Sequence, residues 1–203
     1  MLSQTALRWT RPALCAVAAL TVAGCTGNDA APPATSSAAA TPLASTAGQS
    51  PTPTVGLTTE PARPAALDGS PSKEAAVAFA RYFLALHDYA YHSGDTSTFS
   101  SVSDPACIYC SDTVADVKDE LGKGYVERGG GTKTSNAGAL ETAHGRSFKV
   151  QLDATLAPYV VQDRLGKVVH TLSRPQTYHM DFAIRFDGDW TVAEVASVMT
   201  GEK

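Results

Sequence analysis

The chain has 203 residues, with 16 Lys and Arg against 20 Asp and Glu, a formal charge of −4. That length allows one ordinary domain with appendages. The mild acidic balance, with no basic stripe, argues against nucleic acid as a partner and against electrostatic adhesion to an anionic membrane.

The N-terminus "MLSQTALRWTRP" carries Arg8 and Arg11 and no acid, and an apolar run "ALCAVAALTVA" and then "GC" follow. A positive leader, a short apolar run and small residues at the cut predict an export signal. The run is shorter than the roughly 20 residues a membrane span needs. Its ending "VAGC" resembles the bacterial lipobox. That resemblance implies a signal peptide over 1–24, a diacylglyceryl thioether on Cys25 and a chain held at the outer face of the bacterial cytoplasmic membrane. Palmitate or a similar second acyl chain makes such an anchor stable. An ordinary secretory signal with an incidental cysteine is the alternative. Cleavage removes Arg8 and Arg11, so the charge becomes 14 − 20 = −6.

Residues 25–69 are Ala, Thr, Ser and Pro with almost no large apolar side chain. Such a segment cannot bury enough surface to offset its ordering entropy, and it is predicted to be a disordered tether. As a flexible coil, the stretch 26–71 spans about 35–40 Å. Its Ser/Thr/Pro content also permits O-glycosylation.

The folded domain is predicted over 70–203. "SPSKEAAVAFARYFLALHDYAYHSG" has a Ser70 cap, Pro71 at the first helical position and Glu74 in the first turn. Ala76, Phe79, Ala80, Phe83, Leu86 and Ala90 recur at helical spacing, and Gly94 stops the helix. "DTSTFSSVS" predicts a short helical turn capped by Asp95 or Thr96. "DPACIYCSDTVADVKDELGKG" predicts a further helix with Cys110, Val114, Val117 and Leu121 on one face, ended by Gly122 and Gly124. "ERGGGTKTSNAG" is expected to be a flexible loop. The period then changes to two. "SFKVQLDATL" and "TYHMDFAIRF" alternate as strands, and "YVVQDRLGKVVHTL" folds as two short strands about Arg164–Lys167. "DGD" makes a hairpin turn into the closing strand "WTVAEVASV". Segregated helices and strands predict an α+β class: a long helix plus one or two others on a curved antiparallel sheet of about four strands.

The long first helix leading into Gly94–Asp95, and the terminal hairpin with Asp187, Gly188, Trp190, Val192 and Val195, resemble the nuclear-transport-factor-two-like, cystatin-like cone fold. The lipobox, the tether, "AFARYFLALHDYAYHSGDTS" and "PACIYC" together resemble an uncharacterised actinobacterial lipoprotein domain family, a domain of unknown function, over about residues 70–198. The resemblance implies a fold and an address and brings no mechanism.

Cys107 and Cys110 are the two cysteines left free after export and lipidation, so in an oxidising compartment a structural disulfide is expected. A redox couple at a helix N-terminus is the rival, weakened because the motif does not follow a strand in a βαβ unit. A zinc site lacks a second ligand pair at tight spacing. His87, His92, His144, His170 and His179 are scattered and read as surface or hydrogen-bonded residues. "GGGTKT" lacks the phosphate-loop pattern. The cone fold often encloses a pocket, for which Tyr82, Asp88, Tyr89, Tyr178 and Trp190 are the candidates, with His179 and Asp181 nearby in sequence. No catalytic residue, metal or cofactor is assigned. The leading expectation is a lipid-anchored module binding envelope polymer, a protein or a small apolar ligand. A pocket-based acid–base enzyme of isomerase or dehydratase type, or a thiol–disulfide exchanger at Cys107/Cys110, is the alternative.

Overall fold

A computed structural model describes residues 57–202; the expected signal peptide, Cys25 and the tether as far as residue 56 lie outside the described residues. The ordered part begins ahead of Ser70. A 3-10 turn at Ala65–Leu67 drops Leu67 into the core.

Helix α1 spans Lys73–Ser93. Its cap is Ser72 rather than Ser70. Ser72 has extended backbone and its hydroxyl accepts the Ala75 N–H at 3.1 Å, which places Pro71 before the cap instead of inside the first turn. The predicted stripe is buried, with Phe79, Phe83, Leu86 and the small Ala76, Ala80 and Ala90 fully covered. Gly94, left-handed, ends the helix. Helix α2, Ser97–Ser101, is the expected short turn. Thr96 occupies the cap position, but the carboxylate of Asp95 takes the Ser97 N–H at 2.9 Å. Its Phe99 packs on Phe83 with ring centroids 4.6 Å apart. Helix α3 runs Ile108–Lys123. Cys110 and Val117 are buried as predicted, but Leu121 is 57% exposed, because the last turn passes beyond the core. Gly122 lies inside α3, and Gly124 alone caps it.

Seven strands follow, four in one antiparallel sheet as expected and three in a second, smaller one. They are β1 (Val126–Gly129), β2 (Thr132–Ala143), β3 (Ser147–Leu156), β4 (Tyr159–Gln162), β5 (Val168–Leu172), β6 (Gln176–Phe186) and β7 (Trp190–Glu202). The supposed loop "ERGGGTKTSNAG" is most of β1 and the first half of β2. Its glycines form the turn between the strands rather than a mobile connector. A four-stranded antiparallel sheet has the order β2-β3-β6-β7, and a smaller one the order β1-β4-β5. In β6, Met180, Phe182 and Ile184 alternate into the core against Leu152, Val150 and Phe148 of β3. Between Ser135 and Gly138 the β2 ladder slips, with Asn136 at φ 50°. A bulge of this kind bends its strand. Segment 102–104 lies along the start of β7, with the Asp104 N–H donating to Val192 O and the Val192 N–H to Val102 O, both at 2.9 Å.

The α+β class, with a long helix laid on an antiparallel sheet, is as the sequence predicts. The core is aromatic where α1 meets the sheet. Trp190 contacts Phe186, Phe148 and Phe79 at centroid distances of 5.1, 5.5 and 5.8 Å.

Candidate functional site

The approach of α3 to α1 is fixed by "DPACIYC". Asp104 accepts the Ala106 N–H at its side chain and the Cys107 N–H at its carbonyl, so the chain turns at Pro105. Its other carboxylate oxygen pairs with Arg185 of β6. Cys107 then caps α3 and is bridged to Cys110, with 5.2 Å between the Cα atoms. Tyr109, between them, packs on Phe83 at 6.5 Å and stacks on His87 of α1 at 6.0 Å. Burial, then the charge of Asp88, pushes the Tyr109 hydroxyl up to about 12. Both cysteines are buried. A sulfur without access offers no surface for exchange, which supports the structural reading.

The smaller sheet is tied to α1 by two side chains. Asp88 accepts the Thr132 N–H at 2.7 Å and the Thr132 hydroxyl at 2.9 Å. His92 contacts the carbonyl oxygens of Asp88 and Gly129 at 2.8 and 2.7 Å. Between these anchors Gly129, Gly130 and Gly131 all have positive φ, from 79° to 91°. A Cβ at Gly129 meets the Pro158 carbonyl at 2.9 Å. Only glycine fits this turn without strain.

A cleft of about 400 Å³ opens where α1, α3 and the β1-β4-β5 sheet converge. Helix α1 lines it with His87, Asp88 and Tyr91, and α3 with Asp116, Asp119 and Glu120. Glu127 of β1, Leu156 at the end of β3, Tyr159 of β4 and His170 of β5 complete it. Five carboxylic side chains and no Lys or Arg line one concavity. Glu120 and Glu127, the two glutamates, respond to this setting. Burial, followed by Asp116 and Asp119, raises Glu120 above the ordinary carboxylate range. For Glu127, burial dominates and pushes it up to about 7; Glu120 and Asp88 act in the same direction, and His92 and His87 against it. Burial and the carboxylates of Asp116 and Glu120 raise Tyr91, and burial, then Glu127, raises Tyr159. These shifts disfavour negative charge in the cleft, as low dielectric and like charges together must. Among the described residues, no group of three or more His, Cys, Asp or Glu is arranged to hold a metal ion.

Of the candidates named from sequence, the structure brings only Asp88 to this cleft. Tyr82 is buried elsewhere on α1, raised by burial and by Glu60. Tyr89 lies beside Asp95, 3.4 Å from its carboxylate. Tyr178 donates to Gln176 Oε1 at 2.7 Å and packs against the core, in which Trp190 is enclosed. His179 pairs with Asp153 at 3.0 Å, and Asp181 accepts from Gln151 at 2.7 Å, on the other face of the large sheet. These side chains are scattered because strand alternation sends Tyr178 and His179 to opposite faces. The residues missed were Asp116, Asp119, Glu120, Glu127 and Tyr159. One signal was available: Asp116 and Glu120, four apart on α3, are like charges on one helix face, an unfavourable pairing that calls for a reason.

A family model described as a family of unknown function, DUF6318, matches residues 58–196. No curated protein matches the chain. Among solved structures, the intermembrane-space region of the chloroplast protein ARC6 is similar at a TM-score of 0.50 and 10% identity, covering 64% of this chain and 98% of that one. At that identity the likeness concerns the fold alone. An uncharacterised protein with a cystatin-like fold from Caulobacter vibrioides matches at a TM-score of 0.38 and 10% identity, over 55% of this chain and 80% of that one.

Proposed function

The chain belongs to DUF6318, a family of unknown function, and we propose that its domain is a binding module whose ligand enters the acidic cleft between α1, α3 and the smaller sheet. The ligand class is an organic cation, an amine-bearing group with hydrocarbon beside it. One observation carries this reading: the cleft gathers Asp88, Asp116, Asp119, Glu120 and Glu127 with no Lys or Arg on its lining, and adds the rings of Tyr91 and Tyr159. A bound ammonium offsets the like-charge repulsion that, after burial, raises Glu120 and Glu127. The tyrosine faces offer a cation further attraction.

The test is a titration of the full mature chain with a short alkyl diamine, followed by amide shifts of Tyr91, Glu120, Glu127 and Tyr159. A dicarboxylate of equal length is the control. Saturable shifts with the diamine alone support the reading. No shift at millimolar diamine, or equal shifts with the dicarboxylate, ends it.

The address belongs to the same proposal. The lipobox resemblance at Cys25 supports a domain tethered by lipid outside the membrane. Replacing Cys25 by Ser is expected to abolish incorporation of a labelled fatty acid and release the chain from the membrane fraction. Unchanged labelling removes the anchor from the proposal.

A second reading is favoured by Glu127. A buried carboxyl poised at about 7 beside His92 suits general acid–base work at neutral pH. In that case Glu127→Gln abolishes turnover of a substrate while leaving its binding in place. A binding module has no turnover to lose.

A further inference from the structure

His92 stands in the last turn of α1, its side chain 7% exposed. Its Nδ1 lies 2.8 Å from the carbonyl oxygen of Asp88 and its Nε2 lies 2.7 Å from the carbonyl oxygen of Gly129. A backbone carbonyl only accepts, and a neutral imidazole has one N–H. Both contacts are therefore satisfied together only when both ring nitrogens carry protons. Glu127 Oε1 lies 3.6 Å from Nε2 and offers the ring a counter-charge when that carboxyl is ionised. A Cβ added at Gly130 comes within 3.6 Å of His92 Cε1.

We propose that His92 is a proton-operated latch, whose doubly protonated ring ties the end of α1 to the Gly129–Gly131 turn and so fixes the wall of the cleft that carries Glu127 and Tyr159. Loss of one proton leaves a lone pair against a carbonyl oxygen at hydrogen-bond distance, and the contact turns repulsive. The turn it releases has three glycines without side chains, and its other ties are Gly130 N–H to Pro158 O (2.9 Å), Ala157 N–H to Gly131 O (3.0 Å) and Thr132 N–H to Asp88. Rising pH opens the latch and falling pH closes it. The ionisable group in contact with the ring is Glu127 of β1, and Glu120 of α3 with Asp88 and His87 of α1 act on that carboxyl in turn. Tyr159 of β4 lies across the turn, its Cβ within 3.4 Å of a Cβ at Gly130.

The effect on ligand rests on the cleft being the binding site; the latch itself does not. The decisive measurement is the nitrogen chemical shifts of His92 in the full mature chain without ligand, from about pH 5 to about pH 9. Both nitrogens in the protonated range at neutral pH is the expected result. A single-N–H tautomer at neutral pH, with the proton on Glu127 or the ring turned away, overturns the proposal. Amide exchange supplies the second readout. Corrected for base catalysis, exchange at Gly130 and Thr132 is expected to quicken about tenfold or more across that range, a local opening. His92→Gln is expected to exchange fast there at every pH, whereas His144→Gln, fully exposed between β2 and β3, keeps the dependence. PH-independent protection in the native chain also overturns the latch. Failure of the diamine titration with the ring still doubly protonated removes the ligand reading and leaves the latch standing.

Discussion

Glu127 stands well above the ordinary carboxylate range, and the sign of that shift decides how the domain responds to acid. In the folded chain it holds its proton up to about 7, against an ordinary value of 4.5, chiefly because it is buried. Glu120 is raised in the same direction. Between those two values the folded state binds more protons than the unfolded one. Stability therefore falls as pH rises through the window from about 4.5 to about 7, the reverse of the usual carboxylate case. Glu120→Gln removes one of the like charges facing Glu127. The expected outcome is a lower titration midpoint for Glu127 and a shallower loss of stability across that window, read by carboxyl carbon shifts and by denaturant unfolding at several pH values. A midpoint that stays at the native value means the shift comes from burial alone.

At the scale of the element, legibility followed one-sidedness. Helix α1 and strands β3 and β6 each bury one face completely, so their apolar residues repeat at 3.6 or 2 and the sequence shows them. Strands β1 and β2 could not be read that way. Their residues are half-buried at most, a run of three glycines separates them, and the β2 ladder is broken near Asn136. Pairing with β4 and β3 decides their conformation, and no local pattern records it. Helix α3 lies between these cases, with Val117 buried but its acidic face turned to the cleft. Its start rests on Cys107–Cys110. So short a closed loop contributes about 2 kcal/mol in the chain-entropy model. Changing both cysteines to Ser is expected to lower unfolding stability by about that amount while the fold persists. A loss no larger than error, in calorimetry or urea unfolding, shows that the aromatic packing of Tyr109 alone holds α3.

For the molecule as a whole, the class was legible and the site was not. Fold class depends on the order of elements, which periodicity reveals. The cleft depends on which faces meet. Asp116 and Glu120 look solvated on a helical wheel, and only the fold brings them into one cleft with Glu127, on which Glu120 acts. On the large sheet Asp153 pairs with His179 and Asp181 with Lys149; of the five acids in the cleft, Asp119 pairs with Lys123 and Glu127 with His92, and no Lys or Arg stands in the lining itself.

Trp190 has a practical consequence. The chain holds two tryptophans, and the other is Trp9, in the segment expected to be cut away. Trp190 sits at 2% exposure among Phe79, Phe148 and Phe186, and its indole N–H has no hydrogen-bond partner among the described residues. Nothing polar grips the ring, so its excited state relaxes against hydrocarbon. A chain cut at the expected site carries a single tryptophan with blue-lying emission, placed where α1 meets the sheet, and unfolding there registers as a shift to the red without any added label.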